Sequence, residues 1–170
     1  MLLFIKYISL ICIIIVCSFL GIYKSKKFEN RVVELKKFQS SLSMFKSKIE
    51  FTYEPIGDIF NSISKIIYKQ EENIFKLTIE NTKKNDISNS WYLATEECKN
   101  DLNTEDKETI KMLGKILGKT DKNGQINEIN LEIKQIERQL EKAEEEKIKN
   151  TKLYKTLGIV FGLGISIILI

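Results

Sequence analysis

The stretch INEINLEIKQIERQLEKA, residues 126–143, decides the fold class of this chain. Its apolar residues recur three and four positions apart, which is the repeat of one face of an α-helix. The members of this apolar stripe are Ile126, Ile129, Ile133, Ile136, Leu140 and Ala143. The other positions are rich in Glu and Lys, with pairs such as Glu137 and Glu141 at helical spacing, which favours a solvated face. The stretch therefore predicts a long amphipathic helix.

Similar patterns occur throughout the residues before it. Apolar residues between positions 35 and 49 show the same spacing, and Pro55 ends that pattern where another helix can begin. That second helix is predicted at residues 56–67, where apolar residues recur on one face, and weaker patterns predict two more short helices at 74–81 and 91–98.

One more helix is predicted from its amino end. Asn103 is suited to cap a helix, because Glu105 and Asp106 place negative charge in the first turn. No alternating apolar run bounded by turn residues is evident, and the chain has one proline. The fold class predicted is all-α, a helical bundle domain.

Apolar stretches at both ends predict membrane anchors. Residues 7–23 carry no charge and approach the roughly 20 residues that a spanning helix needs. Residues 157–170 are also uncharged, and extending the helix back to Leu153 with Lys155 snorkelling makes it about 27 Å long. We predict an N-terminal transmembrane anchor at 1–23, a helical soluble domain at 24–152 and a C-terminal transmembrane segment at 153–170.

Two details of these anchors matter. A cleaved signal peptide is the alternative for the first one, but no small-x-small cleavage site follows Gly21. In the second, Gly158 and Gly162 share one helix face, which permits close helix packing in lipid. We interpret both segments as retained anchors and those glycines as packing candidates.

Lysine beside the anchors predicts their orientation, because Lys and Arg remain preferentially on the cytoplasmic side. The basic residues that flank the two apolar stretches on the side of the middle domain are Lys24, Lys26, Lys27, Arg31, Lys147, Lys149, Lys152 and Lys155. The middle domain is therefore expected in the cytoplasm. Attraction to anionic lipid headgroups also explains these lysines, and a lipid-surface sensor is a further hypothesis.

Composition excludes several kinds of chemistry. The chain has no histidine, which removes imidazole bases and His-ligated metal sites. Two of its three cysteines, Cys12 and Cys17, lie in the first apolar stretch, which leaves Cys98 alone in the polar domain. The net charge of +4 is modest and gives no indication of nucleic-acid binding. We predict no catalytic, cofactor-binding or metal-ligating residue.

The segment 113–125 is the candidate interaction corner of the polar domain. In this hypothesis Gly114 allows close approach, Gly118 ends a helix, and Asp121 caps the long helix that follows. The interaction or packing candidates here are Leu113, Gly114, Leu117, Gly118, Asp121 and Gln125.

The same segment allows an alternative function. Residues 114–120 resemble a phosphate-binding loop, which would make the protein a membrane-anchored nucleotide-dependent switch or enzyme. The motif requires four residues between its glycines and a preceding strand, whereas here three residues separate Gly114 from Gly118 and no strand is predicted. We therefore favour the interaction corner.

The chain resembles the stage III sporulation protein AB family of endospore-forming bacteria. The resemblance covers the N-terminal anchor, the helix at 35–50, the Tyr-Glu-Pro-Ile turn at 53–56 and the glycine-containing apolar C-terminal end. Its most specific part is Leu-Gly-Lys-Ile-Leu-Gly-Lys-Thr-Asp at 113–121, followed by Gln125, which is similar to the family pattern Leu-Gly-x-x-Leu-Gly-x-x-Asp.

This resemblance implies a non-enzymatic platform or adaptor in the mother-cell membrane. It would belong to the secretion-like channel complex between mother cell and forespore. The implied partners are other proteins of the same sporulation operon, including its cytoplasmic ATPase and ring-forming proteins, together with membrane lipid. Self-association is left open, and neither nucleic acid nor a cofactor is implied.

Overall fold

The computed structural model describes residues 2–52, 54–69, 71–117 and 122–169, and this part of the chain is helical with no strand. The predicted all-α class is confirmed. The six helices in chain order are α1 (Leu2–Phe51), α2 (Ile56–Ile67), α3 (Ile74–Asn81), α4 (Ile87–Glu97), α5 (Thr104–Gly114) and α6 (Lys122–Ile168).

The chain forms two compact units. One, the hairpin unit, consists of Met1–Val32 and Lys142–Ile170, and the other, the core unit, is Val33–Glu141. Helices α1 and α6 therefore contribute residues to both units. The sequence predicted one membrane anchor that ends at residue 23 and another that begins at residue 153. The division into compact units reflects packing and does not test these limits, so they stay predictions.

The hairpin unit pairs the first part of α1 with the last part of α6. Ser166 near the end of the chain donates a hydrogen bond to the Leu10 carbonyl, and Arg31 lies 2.7 Å from Glu146. The two helices are thus antiparallel. Both α1 and α6 contain stretches long and apolar enough to cross a membrane. Many side chains there point outward, with Phe19 69% and Phe161 62% exposed.

The core unit is built around a cluster of aromatic rings that pack against one another edge-on or tilted. The ring centroids of Phe60, Phe75 and Trp91 lie 5.2–5.4 Å apart. Phe38 and Phe45 extend the cluster on α1, and all five side chains are buried. Aromatic pairs at this separation each contribute about 0.5–1.5 kcal/mol beyond their area burial. The cluster joins α1, α2, α3 and α4.

Short polar side chains begin the middle helices. The Asn103 Oδ1 atom accepts a hydrogen bond from the Asp106 N–H, and the Asp106 carboxylate accepts one from the Asn103 N–H. This reciprocal pair is a capping box, which satisfies amide groups that a helix leaves without partners. The side chains of Asn73 and Asp86 also accept hydrogen bonds from backbone N–H groups in the first turns of α3 and α4. The predicted cap of α5 is therefore present.

Several predicted boundaries differ from the structure, and α4 begins at Ile87 rather than at residue 91. Helix α5 ends at Gly114, whereas the sequence indicated an end at Gly118. The N–H groups of Lys115 and Ile116 bond to carbonyls three residues earlier, so the helix tightens into a turn. Gly118 lies outside the described residues. Helix α6 begins at Lys122, four residues before Ile126, the first residue of its predicted apolar stripe.

The buried face of α6 also differs from the prediction. Ile129 and Ile136 are buried as expected, whereas Ile133 is only half-buried. Glu132 and Gln139 are buried instead, and with Ile129, Ile136 and Ala143 they continue a three-and-four repeat. The sequence pattern missed these two positions because the stripe was defined by apolar residues alone, whereas Glu and Gln are polar.

Candidate interaction corner

The predicted corner lies where α5 packs on α4. Trp91 on α4 donates its indole N–H to the Ile110 carbonyl at 2.8 Å, and the Ser88 hydroxyl donates to the Gly114 carbonyl at 2.5 Å. A Cβ atom added to Gly114 would lie 2.7 Å from Trp91 Cδ1. Glycine is therefore required for this approach of the two helices, and the end of α5 is held against α4 at three points.

The other predicted corner residues separate into two groups. Leu113 and Leu117 are buried, so they hold the corner in place and present no surface to a partner. Gln125 lies half-buried in the first turn of α6. Gly118 and Asp121 lie outside the described residues. The structure gives Gly114 a packing role, and an interaction role for the whole set stays a prediction.

An exposed groove beside Gly114 was not predicted. It has a volume of about 480 Å³ between α4 and α5. Two large side chains in it are half-exposed, Tyr92 at 50% and Met112 at 49%. The groove is lined by Asp86, Ser88, Asn89, Tyr92, Glu108, Lys111, Met112, Gly114 and Lys115. Sequence spacing could have suggested that Tyr92 and Met112 are exposed, because both lie outside the apolar faces of their helices.

Charged side chains fix the position of Lys111 in this groove. Its Nζ atom lies 2.5 Å from Glu96 Oε1 and 2.5 Å from Glu108 Oε1, and 4.9 Å from the centroid of the Tyr92 ring. Hydrogen bonds to Glu108 and Glu96 raise the pKa of Lys111, and the bond from Lys111 lowers the pKa of Glu96. The ammonium group therefore remains charged and is held against the ring face.

The predicted glycines of the second apolar stretch lie at a helix contact inside the hairpin unit. A Cβ atom on Gly158 would lie 2.7 Å from the Cys17 carbonyl oxygen, and one on Gly162 would lie 2.9 Å from Ile14 Cα. Gly21 on α1 faces Gly158 in turn, with a distance of 3.1 Å from its added Cβ to the Gly158 Cα. The first apolar stretch of the same chain therefore occupies this small-residue face.

Glu132 is a buried acid of the core unit with a strongly raised pKa. Its side chain is 4% exposed and its Oε1 atom is buried without a hydrogen-bond partner. Burial, and then the nearby charge of Glu128, raises the pKa of Glu132 to about 8. The Oε1 atom of Gln139, one heptad later, is also buried without a partner. These two positions place polar atoms without hydrogen-bond partners in an otherwise apolar helix face.

Metal and nucleotide chemistry find little support in the described residues. Within residues 2–52, 54–69, 71–117 and 122–169, no group of three or more His, Cys, Asp or Glu is arranged to hold a metal ion. Burial raises the pKa of the Cys98 thiol, which disfavours the reactive thiolate. Helix α5 ends at Gly114, whereas a phosphate-binding loop follows a strand.

The family model described as stage III sporulation protein AB matches residues 6–170. The chain belongs to the stage III sporulation protein AB family. The resemblance noted in the sequence is thereby confirmed, and the family name assigns the chain a place in sporulation.

Two members of the stage III sporulation protein AB family allow a closer comparison. A relative from Bacillus subtilis (strain 168), stage III sporulation protein AB, is 21% identical over 168 residues, which cover 96% of this chain and 98% of the relative. A solved structure named stage III sporulation protein AB (SpoIIIAB) has a TM-score of 0.62 and 17% identity, covering 71% of this chain and 98% of that chain. At this identity the second match shows a shared fold.

Proposed function

We propose that this chain is a non-enzymatic platform component of a secretion-like channel complex, placed in the mother-cell membrane and required for endospore formation. Membership of the stage III sporulation protein AB family supports the sporulation role. The observation that carries the platform role is the exposed groove between α4 and α5, with Tyr92, Met112 and Lys111 in defined positions.

The hairpin unit supports attachment to a membrane at both ends. Glu29 on α1 lies 3.6 Å from Lys155 on α6, and Lys24 Nζ lies 5.9 Å from the Tyr154 ring centroid. Because the helices are antiparallel, the basic ends of both apolar stretches lie at one level. Positive charge there favours a cytoplasmic middle domain.

The groove has the features of a protein-binding surface. Tyr and Met are enriched in the cores of interfaces, and a side chain already held in place loses little entropy on binding. Lys111 is held by two carboxylates, and Gly114 holds α5 tightly on α4. We infer that the partner docked here is another protein of the sporulation operon, with its cytoplasmic ATPase as the first candidate and its ring-forming proteins as the second.

A sporulation assay tests the proposal. The double variant Tyr92→Ala/Met112→Ala replaces the native copy in an endospore-forming host, and Val33→Ala/Ile66→Ala serves as the control. Val33 and Ile66 are also exposed apolar residues of the core unit, at 49% and 66%. Interface hot spots cost about 2 kcal/mol or more when truncated, which predicts a fall of tenfold or more in heat-resistant spores for the first pair only.

The same strains identify the partner. A photo-crosslinking residue in place of Tyr92 is expected to capture the ATPase, while one in place of Ile66 captures much less. Normal spore counts for Tyr92→Ala/Met112→Ala at equal protein levels would overturn the docking site. ATP binding by the full chain that Lys119→Ala abolishes would instead support the nucleotide-dependent alternative.

A further inference from the structure

We propose that α6 carries a binding site for the phosphate of an anionic phospholipid headgroup, formed by Lys147, Lys152 and Lys155 around Thr151. These residues and Ile148 line a shallow groove of about 390 Å³ in the hairpin unit. The site is separate from the groove between α4 and α5, and it rests on the membrane placement proposed above.

Helix geometry brings the three ammonium groups to one side. Residues 147, 151 and 155 follow each other at intervals of four, so they stack along one face, and residue 152 lies beside them. The set extends over about 12 Å of the helix axis. Three flexible lysine side chains on such a face can converge on one phosphate, because each ammonium carries three donors.

The polar groups in the groove can form further hydrogen bonds and ion pairs. Within the described part of the chain, Lys147 and Lys152 make no ion pair, and Lys155 lies 3.6 Å from Glu29 in a pair whose side chains are 47% and 38% exposed. Such an exposed pair is weak and can exchange for another anion. The Thr151 hydroxyl oxygen is buried and makes no hydrogen bond. Thr151 also lines the groove, so rotation about χ1, for which threonine in a helix has two preferred rotamers, would turn this hydroxyl towards a bound phosphate oxygen.

The order of charge along the helices identifies the occupant as lipid. On α6 three glutamates at 144–146 are followed by lysines between 147 and 155, and then by uncharged residues to the end of the sequence. On α1 the order is reversed, with uncharged residues 7–23, then Lys24, Lys26 and Lys27, then Glu29. The basic band therefore directly adjoins both apolar stretches, where anionic headgroups lie. A soluble acidic partner would not require this alignment.

Native mass spectrometry of the full chain in nonionic detergent tests the site. Phosphatidylglycerol and phosphatidylcholine with identical acyl chains are the probes, and inorganic phosphate is the competitor. The triple variant Lys147→Gln/Lys152→Gln/Lys155→Gln removes the site. The control Lys83→Gln/Lys84→Gln/Lys134→Gln removes the same charge from exposed positions of the core unit.

The wild-type chain is expected to prefer phosphatidylglycerol by about tenfold, and the first triple variant to lose at least about fivefold of that preference, the contribution of one lysine near an anionic surface. The control should retain the preference, and Thr151→Val, which changes no charge, should lose part of it. Circular dichroism checks that each variant stays helical.

Several results would overturn the site. These are no preference in the wild-type chain, full preference in the first triple variant, an equal loss in the control, or no effect of Thr151→Val. Displacement of the lipid by millimolar inorganic phosphate would indicate a free-anion site and would also contradict the proposal. None of these readouts depends on sporulation or on partner docking, so failure of this site can be distinguished from failure of the proposed function.

Discussion

The two units of this protein are held together in opposite ways. The core unit relies on large side chains, with Phe60, Phe75 and Trp91 in mutual contact. In the hairpin unit, Gly21 and Gly158 have no side chain, and this allows two helix backbones to pack closely together. Burial of apolar area stabilises a unit in water, whereas in lipid close packing has to supply the attraction. A substitution that enlarges a residue should therefore damage the hairpin unit, and one that removes side-chain volume should damage the core unit.

The largest effect is expected for Trp91→Ala in the core unit. The change removes a fully buried ring, three aromatic contacts and the hydrogen bond to the Ile110 carbonyl. Large-to-small changes of this kind cost about 3–5 kcal/mol. Urea unfolding of the full chain in detergent, followed by circular dichroism, measures the loss. Tyr92→Ala, at a half-exposed neighbour, is the control, and an equal loss there would contradict the account.

A second large effect concerns pH and Glu132. Its pKa is raised to about 8 in the folded protein, compared with about 4.3 in an unfolded chain. The folded state therefore favours the protonated carboxyl, and stability falls as the pH rises between these two values. The resulting loss in the free energy of unfolding is absent below about pH 4, and above about pH 8 it reaches at most a few kcal/mol.

We predict that Glu132→Gln removes this dependence of the unfolding free energy on pH. Its free energy of unfolding should exceed that of the wild type at pH 8.5 by much more than at pH 5. Glu137→Gln is the matched control, because Glu137 is an exposed glutamate on the same helix. A gain in stability for Glu132→Gln that is equal at both pH values would show that the carboxyl does not titrate in this range.

These two predictions also separate what the sequence could reveal from what it could not. The three-and-four spacing predicted the long helices correctly, because an apolar stripe is a local property of the chain. The Asn103 cap was foreseen for the same reason, since its bonding partner Asp106 is three residues away, whereas the reciprocal bond that completes the capping box was not predicted. The burial of Glu132 was missed, because nothing local distinguishes a buried glutamate from the exposed glutamates around it.

The candidate site shows the same division. Gly114 and Gly158 were chosen from spacing, and the structure gives each a close backbone or ring contact. Their contact partners, Trp91 and Gly21, lie far away in the sequence and could not be assigned from it. The groove with Tyr92 and Met112 depends on how α4 meets α5, which only the tertiary arrangement defines.

Gly158→Ala tests the hairpin unit with an intermediate effect. The added methyl would lie 2.7 Å from the Cys17 carbonyl oxygen, and neither backbone can move away cheaply. Overpacking of this kind costs about 1–3 kcal/mol. Gly164→Ala is the matched control, because a Cβ atom there meets nothing within 4 Å. Cysteines at positions 10 and 166, in a background without native cysteine, should crosslink less in Gly158→Ala and normally in Gly164→Ala.

The smallest effect is expected at the amino end of α5, where the comparison between the units becomes sharpest. Asn103→Ala removes one cap hydrogen bond, that from the Asp106 N–H, and costs about 1 kcal/mol. Asn103→Asp keeps an acceptor at this position and should retain nearly all the stability. The loss should appear in urea unfolding followed by circular dichroism while the crosslinking between positions 10 and 166 stays unchanged, because the cap belongs to the core unit alone. Reduced crosslinking in Asn103→Ala would show instead that the two units unfold together, and the contrast between side-chain and backbone packing would then describe one cooperative structure.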